Sequence, residues 1–191
     1  MPADEQVVAA ALNAAKQADQ GDPDLDGLAA TAVADEQHRY ELNREGEVPV
    51  APVGDPPTAL IVSRLVLWLA SHGLGPDRLA VHMGIALDSA VVLVPTLTVW
   101  ADGMLPRSAG SVGYAVPDGL QVVAEVMAAD GELAARLTEY AAAGIPQAWV
   151  VEPGPDVVYR YVLDTVSGRY EPTPGGEQAL SLFLAGEPKI G

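Results

Sequence analysis

LQVVAEVMAADGELAARLTEYAAAGIPQAWVVEP, residues 120–153, reads as strand, helix, strand. Leu120 to Met127 is almost continuously apolar and rich in Val, as a central strand covered on both faces should be. Asp130 can cap a helix running from Gly131 to Ala143, Gly144 fits the residue just past its end, and Ile145-Pro146 prevents continuation. Ala148 to Val151 is the next strand. A strand, a helix and a second strand in this order predict an α/β arrangement around a sheet.

Upstream, Val91 to Trp100 is a second Val-rich run and Leu79 to Leu87 a third extended stretch, with a loop from Ala101 to Pro117 rich in Gly, Pro and Ser. Asp55-Pro56-Pro57-Thr58 offers a helix start, and Ala59 to Ser71 is apolar on most sides until Gly73 and Gly75 stop it. Arg39 to Val50 reads as a β-hairpin. Downstream, Val157 to Leu163 and Arg169 to Glu171 form a hairpin around Ser167-Gly168. A Pro- and Gly-rich stretch then leads to an apolar run at Leu180 to Leu184. The N-terminus adds an Ala-rich helix over residues 3–19, ended by Gly21-Asp22-Pro23, and a short helical stretch from Leu28 to Glu36. Val7, Val8, Ala11, Leu12 and Ala15 fall on one face of the first helix, which can dock on its own core or on a second subunit. The expected fold class is α/β, or α+β with a mixed sheet, with residues 1–25 as a helical appendage and 26–191 as one domain.

Composition narrows the chemistry. The 191 residues are 49% hydrophobic and 19% charged, a globular balance. Cysteine is absent, which removes disulfides, thiolate metal sites and cysteine nucleophiles and leaves oxygen and nitrogen groups for any catalysis. No basic and apolar leader opens the sequence, and Ala59 to Ala70 is far shorter than the roughly 20 residues of a membrane span, so a cytoplasmic location is expected. The net charge of −16 opposes nucleic-acid binding, which needs cations to neutralise phosphates.

Among single residues, Glu125 stands out because a carboxylate inside an apolar strand is costly unless paired or coordinated. It either serves a site, reaches a solvated face or pairs with Arg136. Glu41 in the hairpin reads as a solvated strand residue, and Tyr140 and Trp149 as core. His38, His72 and His82 lack a metal-ligand spacing. Gly73-Leu74-Gly75 and Gly110-Ser111-Val112-Gly113 lack the strand before and helix after that a phosphate loop requires. Asp88, Asp102, Asp130 and Glu132 are acidic loop residues that could supply a substitute carboxylate.

Four strings together resemble the Uma2 family of PD-(D/E)XK nuclease-fold proteins: Tyr40-Glu41-Leu42 with Gly46-Glu47, Val94-Pro95-Thr96-Leu97, Leu120 to Val126, and Tyr140 to Pro153. The last is the most specific, combining a helix end, a glycine cap, a proline and a Trp-bearing strand. The resemblance spans roughly residues 28–185. It implies a restriction-endonuclease-like core and a divalent metal, Mg²⁺ or Mn²⁺, acting on phosphodiester bonds.

The resemblance also implies where chemistry would sit, and there the sequence departs from the family. The family's strand aspartate falls at Thr96, its strand glutamate at Glu125, its lysine at Arg136 and its hairpin glutamate at Glu41; a histidine ahead of the long helix is replaced by Thr58. Glu125 and Glu41 are the implied metal ligands. Thr96 offers a weak dipole where a charge is expected, and Arg136 stays protonated where a lysine can share a proton. A degenerate site with weakened or lost hydrolysis is therefore expected. The alternative is a non-catalytic interaction module, with a symmetric dimer as its default assembly and nucleic acid as a less expected partner.

Overall fold

The structure, a computed structural model, describes residues 38–45, 47, 49–52, 55–106, 114–127 and 131–190. The two helical stretches expected before residue 37, and the capping role of Asp130, lie outside these residues. The chain forms two compact units, interleaved in sequence. The first takes Met1–Val53, Gly84–Val94 and Pro106–Val116, and the second takes Gly54–Met83, Pro95–Leu105 and Pro117–Gly191.

In the first unit the expected hairpin forms from β1 (His38–Tyr40) and β2 (Val50–Pro52), paired antiparallel. Elsewhere in the chain, each of the two apolar runs read as single strands is broken. Leu79 to Leu87 becomes β3 (Leu79–Val81) and β4 (Ile85–Ala86), separated by His82 with φ 52°. Val91 to Trp100 becomes β5 (Val92–Leu93) and β6 (Leu97–Trp100), separated by a segment containing Pro95, which has no N–H to give a ladder. The strands β4 and β5 pair with each other in the first unit, where Leu42 and Val92 exchange backbone bonds of 2.9 Å. Gly84 is required there, since a Cβ would lie 2.4 Å from the Tyr114 ring.

The second unit holds a six-stranded sheet in the order β10-β9-β8-β7-β6-β3, where β7 is Leu120–Val126, β8 Gln147–Glu152, β9 Val157–Asp164 and β10 Arg169–Ala179. Only β7 and β8 run parallel, joined by the crossover helix α2 (Gly131–Ala142), so the sheet is mixed as expected. Gly144, at φ 75°, ends α2 in the left-handed conformation that glycine adopts without cost, while Ile145 N bonds back to Tyr140 O.

Helix α1 (Pro56–Ser71) begins at Asp55, whose carboxylate accepts from Thr58 N at 2.7 Å, and has prolines in its first turn. Its buried residues Ile61, Val62, Leu65, Trp68 and Leu69 share one stripe and join Val122, Ala124, Val126, Trp149, Val151 and Val158 in the core. The C-terminal apolar run is helix α3 (Leu180–Ala185), which adds Leu180 and Phe183 to that core. No described helix is long and apolar enough to cross a membrane.

Candidate functional site

Alternation along β7 decides what each face receives. Val122, Ala124 and Val126 belong to the apolar core, so Glu125 projects to the other side of the sheet. Leu97 pairs with Ala124 in the antiparallel register, which brings Thr96, one residue earlier, opposite Glu125. On α2, Leu133, Arg136, Tyr140 and Ala141 are the buried residues, and Arg136 and Tyr140 stand one turn apart.

These elements bring four polar side chains together in a dry site. Glu125 and Thr96 each retain 2% exposure, Arg136 6% and Tyr140 none. Glu125 Oε1 accepts from Arg136 Nε at 2.8 Å, Arg136 Nη2 at 2.7 Å and the Tyr140 hydroxyl at 2.5 Å. Glu125 Oε2 accepts from Thr96 N at 3.3 Å and Thr96 Oγ1 at 3.2 Å. The Thr96 hydroxyl in turn accepts from Val126 N at 3.2 Å, and Arg136 Nη2 also donates to the Tyr140 oxygen at 3.3 Å. A carboxylate offers about four lone-pair positions, so Glu125 is saturated by donors of the protein itself.

This arrangement does not fit a divalent cation. Mg²⁺ needs several oxygen ligands at about 2.0–2.1 Å. Here one carboxylate is available, its better-placed oxygen is covered by a guanidinium, and that fixed positive charge repels a second cation. A buried pair of this kind is weak evidence for added stability, but removing either partner is costly. Among the described residues no group of three or more His, Cys, Asp or Glu is placed to hold a metal.

The remaining candidates fall elsewhere. Glu41 belongs to the first unit, where its Oε1 accepts from Val94 N at 2.8 Å and the residue is 9% exposed; it is a buried backbone-bonding group, not the solvated strand residue expected without the family match. Thr58 sits in the first turn of α1, held by the Asp55 cap. Asp88 is taken by an ion pair with Arg44 at 3.0 Å and by Ala90 N. Asp102 and Glu132 are exposed, and Asp130 lies outside the described residues. Trp149 is core, in tilted contact with Trp68 at 5.9 Å. Tyr140, which the sequence presents only as core, makes through its hydroxyl one of the shortest bonds to Glu125. Its spacing of four from Arg136 on a helix following the Glu125 strand is the signal that could have found it.

Comparison with known proteins bears on the fold and the family. The chain is similar to the crystal structure of "a putative nuclease belonging to DUF820" from Anabaena variabilis ATCC 29413, with a TM-score of 0.53 and 16% identity over 70% of this chain and 75% of that one. At that identity the likeness shows a nuclease-like fold. No curated protein matches. The profile of the Uma2 family, described as "Putative restriction endonuclease", a class that usually works with a divalent metal, matches residues 25–187, and with most of its length covered this chain belongs to that family.

Proposed function

We propose that this chain is a Uma2 nuclease scaffold that no longer carries out metal-dependent phosphodiester hydrolysis, with Thr96, Glu125 and Arg136 as the remnants of the site. One observation carries the reading: the Arg136 guanidinium and Tyr140 hydroxyl fill Glu125 Oε1, and Thr96 fills Oε2. The positive charge that a metal would bring is supplied internally. Arg136 cannot surrender a proton, and Thr96 brings no second carboxylate. The charge of −16 further disfavours a polyphosphate substrate.

The test is incubation of the purified protein with supercoiled plasmid and Mg²⁺ or Mn²⁺ at high enzyme concentration. Intact plasmid is expected. Nicking that disappears in Glu125→Gln would overturn the proposal.

What the scaffold then does is bind. The alternative role expected from the sequence, a non-catalytic interaction module, is proposed here with a second copy of the chain as partner, residues 1–25 acting as the appendage and 26–191 as the domain. Exposed Leu60 and Leu67, two turns apart on α1, leave apolar surface that assembly would cover. Light scattering at micromolar concentration should give the mass of a dimer, and a monomer would remove this part.

A further inference from the structure

A second site lies at the opposite end of β7 from Glu125. Val99 pairs with Val122 but Trp100 pairs with Leu120, so Gln121 is an extra residue in the strand, a β-bulge that turns its side chain aside. The Trp100 carbonyl accepts from Arg78 Nε at 2.8 Å, and the Gln121 amide oxygen accepts from Arg78 Nη2 at 2.9 Å. The guanidinium is thus pinned by two neutral acceptors. Among the described residues no carboxylate pairs with it, in a chain with 26 acidic residues against 10 basic ones.

The bulge borders a cavity of about 350 Å³, open to solvent, lined by Arg78, Gln121, Leu74 and Ile190 together with the exposed His72 and Glu187. His72 is also fixed. Its Nδ1 lies 2.9 Å from the Trp68 carbonyl, an oxygen that can only accept, so Nδ1 is the donor there and Nε2 is the nitrogen left for a ligand. The indole of Trp68 meets that ring edge-on at 5.7 Å. The lining therefore offers a donor in the Arg78 guanidinium, acceptors in the Glu187 carboxylate and the His72 ring, and apolar surface from Leu74 and Ile190.

We infer that this cavity binds a small zwitterion of the aliphatic amino-acid class. The carboxylate would meet Arg78, the ammonium would meet Glu187 and His72, and the hydrocarbon side chain would lie on Leu74 and Ile190. A plain organic anion leaves the acceptors unmatched and meets the like charge of Glu187. A plain amine faces an unneutralised guanidinium. Only a ligand with both charges matches both the guanidinium and the carboxylate, and charge-assisted hydrogen bonds are the strong ones. Preorganisation of Arg78 and His72 by neutral partners keeps the cost of ordering them out of the binding step.

The experiment is thermal unfolding of the full chain with L-leucine and with its two half-probes, isovalerate and isoamylamine, at equal millimolar concentration. Leucine should raise the midpoint by more than the half-probes do together. Glu187→Gln, at an exposed position that leaves the fold alone, should weaken leucine about tenfold, the scale of one charge-assisted bond, and leave isovalerate unchanged. Arg78→Met should abolish both, and because it also removes the bond to Trp100 O, Ile190→Trp serves as a second variant that fills the cavity. No stabilisation by leucine, or a leucine effect undiminished in Glu187→Gln and Ile190→Trp, would overturn the assignment.

Discussion

On one side of β7, Val122, Ala124 and Val126 join a cluster with Leu65, Trp68 and Phe183; on the other, Glu125 alone gathers Arg136, Tyr140 and Thr96. The same seven residues of strand supply both faces. The first depends on volume and exclusion of water, which are non-directional and accept swaps of similar size. The second depends on donors and acceptors that match one for one, so each removal leaves a charged or polar group stranded. Polar specificity and apolar tolerance thus sit back to back, separated by one peptide plane.

The largest expected effect tests that contrast. Arg136→Met should destabilise by about 3–5 kcal/mol in urea unfolding, because the Glu125 charge stays buried without its partner. The double variant Arg136→Met, Glu125→Leu should recover part of that loss, since two apolar groups need no partner, while the Tyr140 hydroxyl and the Thr96 N–H lose the acceptor that Glu125 gave them. Leu65→Ala, on the other face, should cost about 2–5 kcal/mol. No second truncation should recover it. A double variant as unstable as Arg136→Met would break the distinction.

Tyr140→Phe keeps the ring packing and removes one donor from Glu125 Oε1, for an expected loss of about 1.5–3 kcal/mol. A change below a few tenths in the urea midpoint analysis would mean that the hydroxyl contributes nothing. Thr96→Asp comes next. A second carboxylate beside Glu125 should raise the pKa of one of the two, costing about 1.4 kcal/mol for each tenfold gain in its proton affinity. Mn²⁺ should not restore the loss while Arg136 remains. With Arg136→Ala added, Mn²⁺ at a hundredfold excess over Kd should stabilise by about 2.7 kcal/mol. Stabilisation of the single Thr96→Asp variant by Mn²⁺ would show that Arg136 does not exclude the cation.

The smallest effect is at the surface. The Asp55 carboxyl is held below its ordinary value of 3.8 by accepting from Thr58 at the start of α1. A depressed folded value means that this contribution is complete above the ordinary value and is lost as pH falls through the folded one. Asp55→Ala should therefore lower the midpoint slightly at neutral pH and reduce the slope of acid unfolding below pH 3.8. An unchanged acid limb would assign that slope to other carboxylates.

Much of the fold is legible from local pattern. Glu125 in a Val-rich strand, the helix closed by Gly144 and the start of α1 at Asp55-Pro56 are local signals that survive packing, whereas α1, apolar on most sides in sequence, buries only one stripe. The breaks are not legible. Leu79 to Leu87 and Val91 to Trp100 have the composition of continuous strands, and only the backbone shows His82 at positive φ and the two pieces pairing in separate sheets. The strand expected to end at Glu171 runs on to Ala179 through Pro172, Pro174 and two glycines, since turn-forming residues are also what a bulge requires. The partnership at Glu125 depends on register between β6 and β7 and on the rotation of α2, which sequence spacing alone does not supply. Arg136 is a partner that the sequence allows for Glu125, but the part of Tyr140 is hidden by its suitability for a core.

The extended β10 bears on the protein's fate at high concentration. It is an outer strand of the sheet, and an outer strand offers unpaired backbone groups on which a foreign chain can template. Here Pro172 and Pro174 have no N–H to offer, the pairing slips between Pro172 and Glu177, and Glu171 and Glu177 add repelling charge. At the opposite rim β3 is three residues long, too short to seed a ladder. Crowding should therefore drive this sheet toward neither runaway strand exchange nor fibril growth, and any lawful association must use helices or loops.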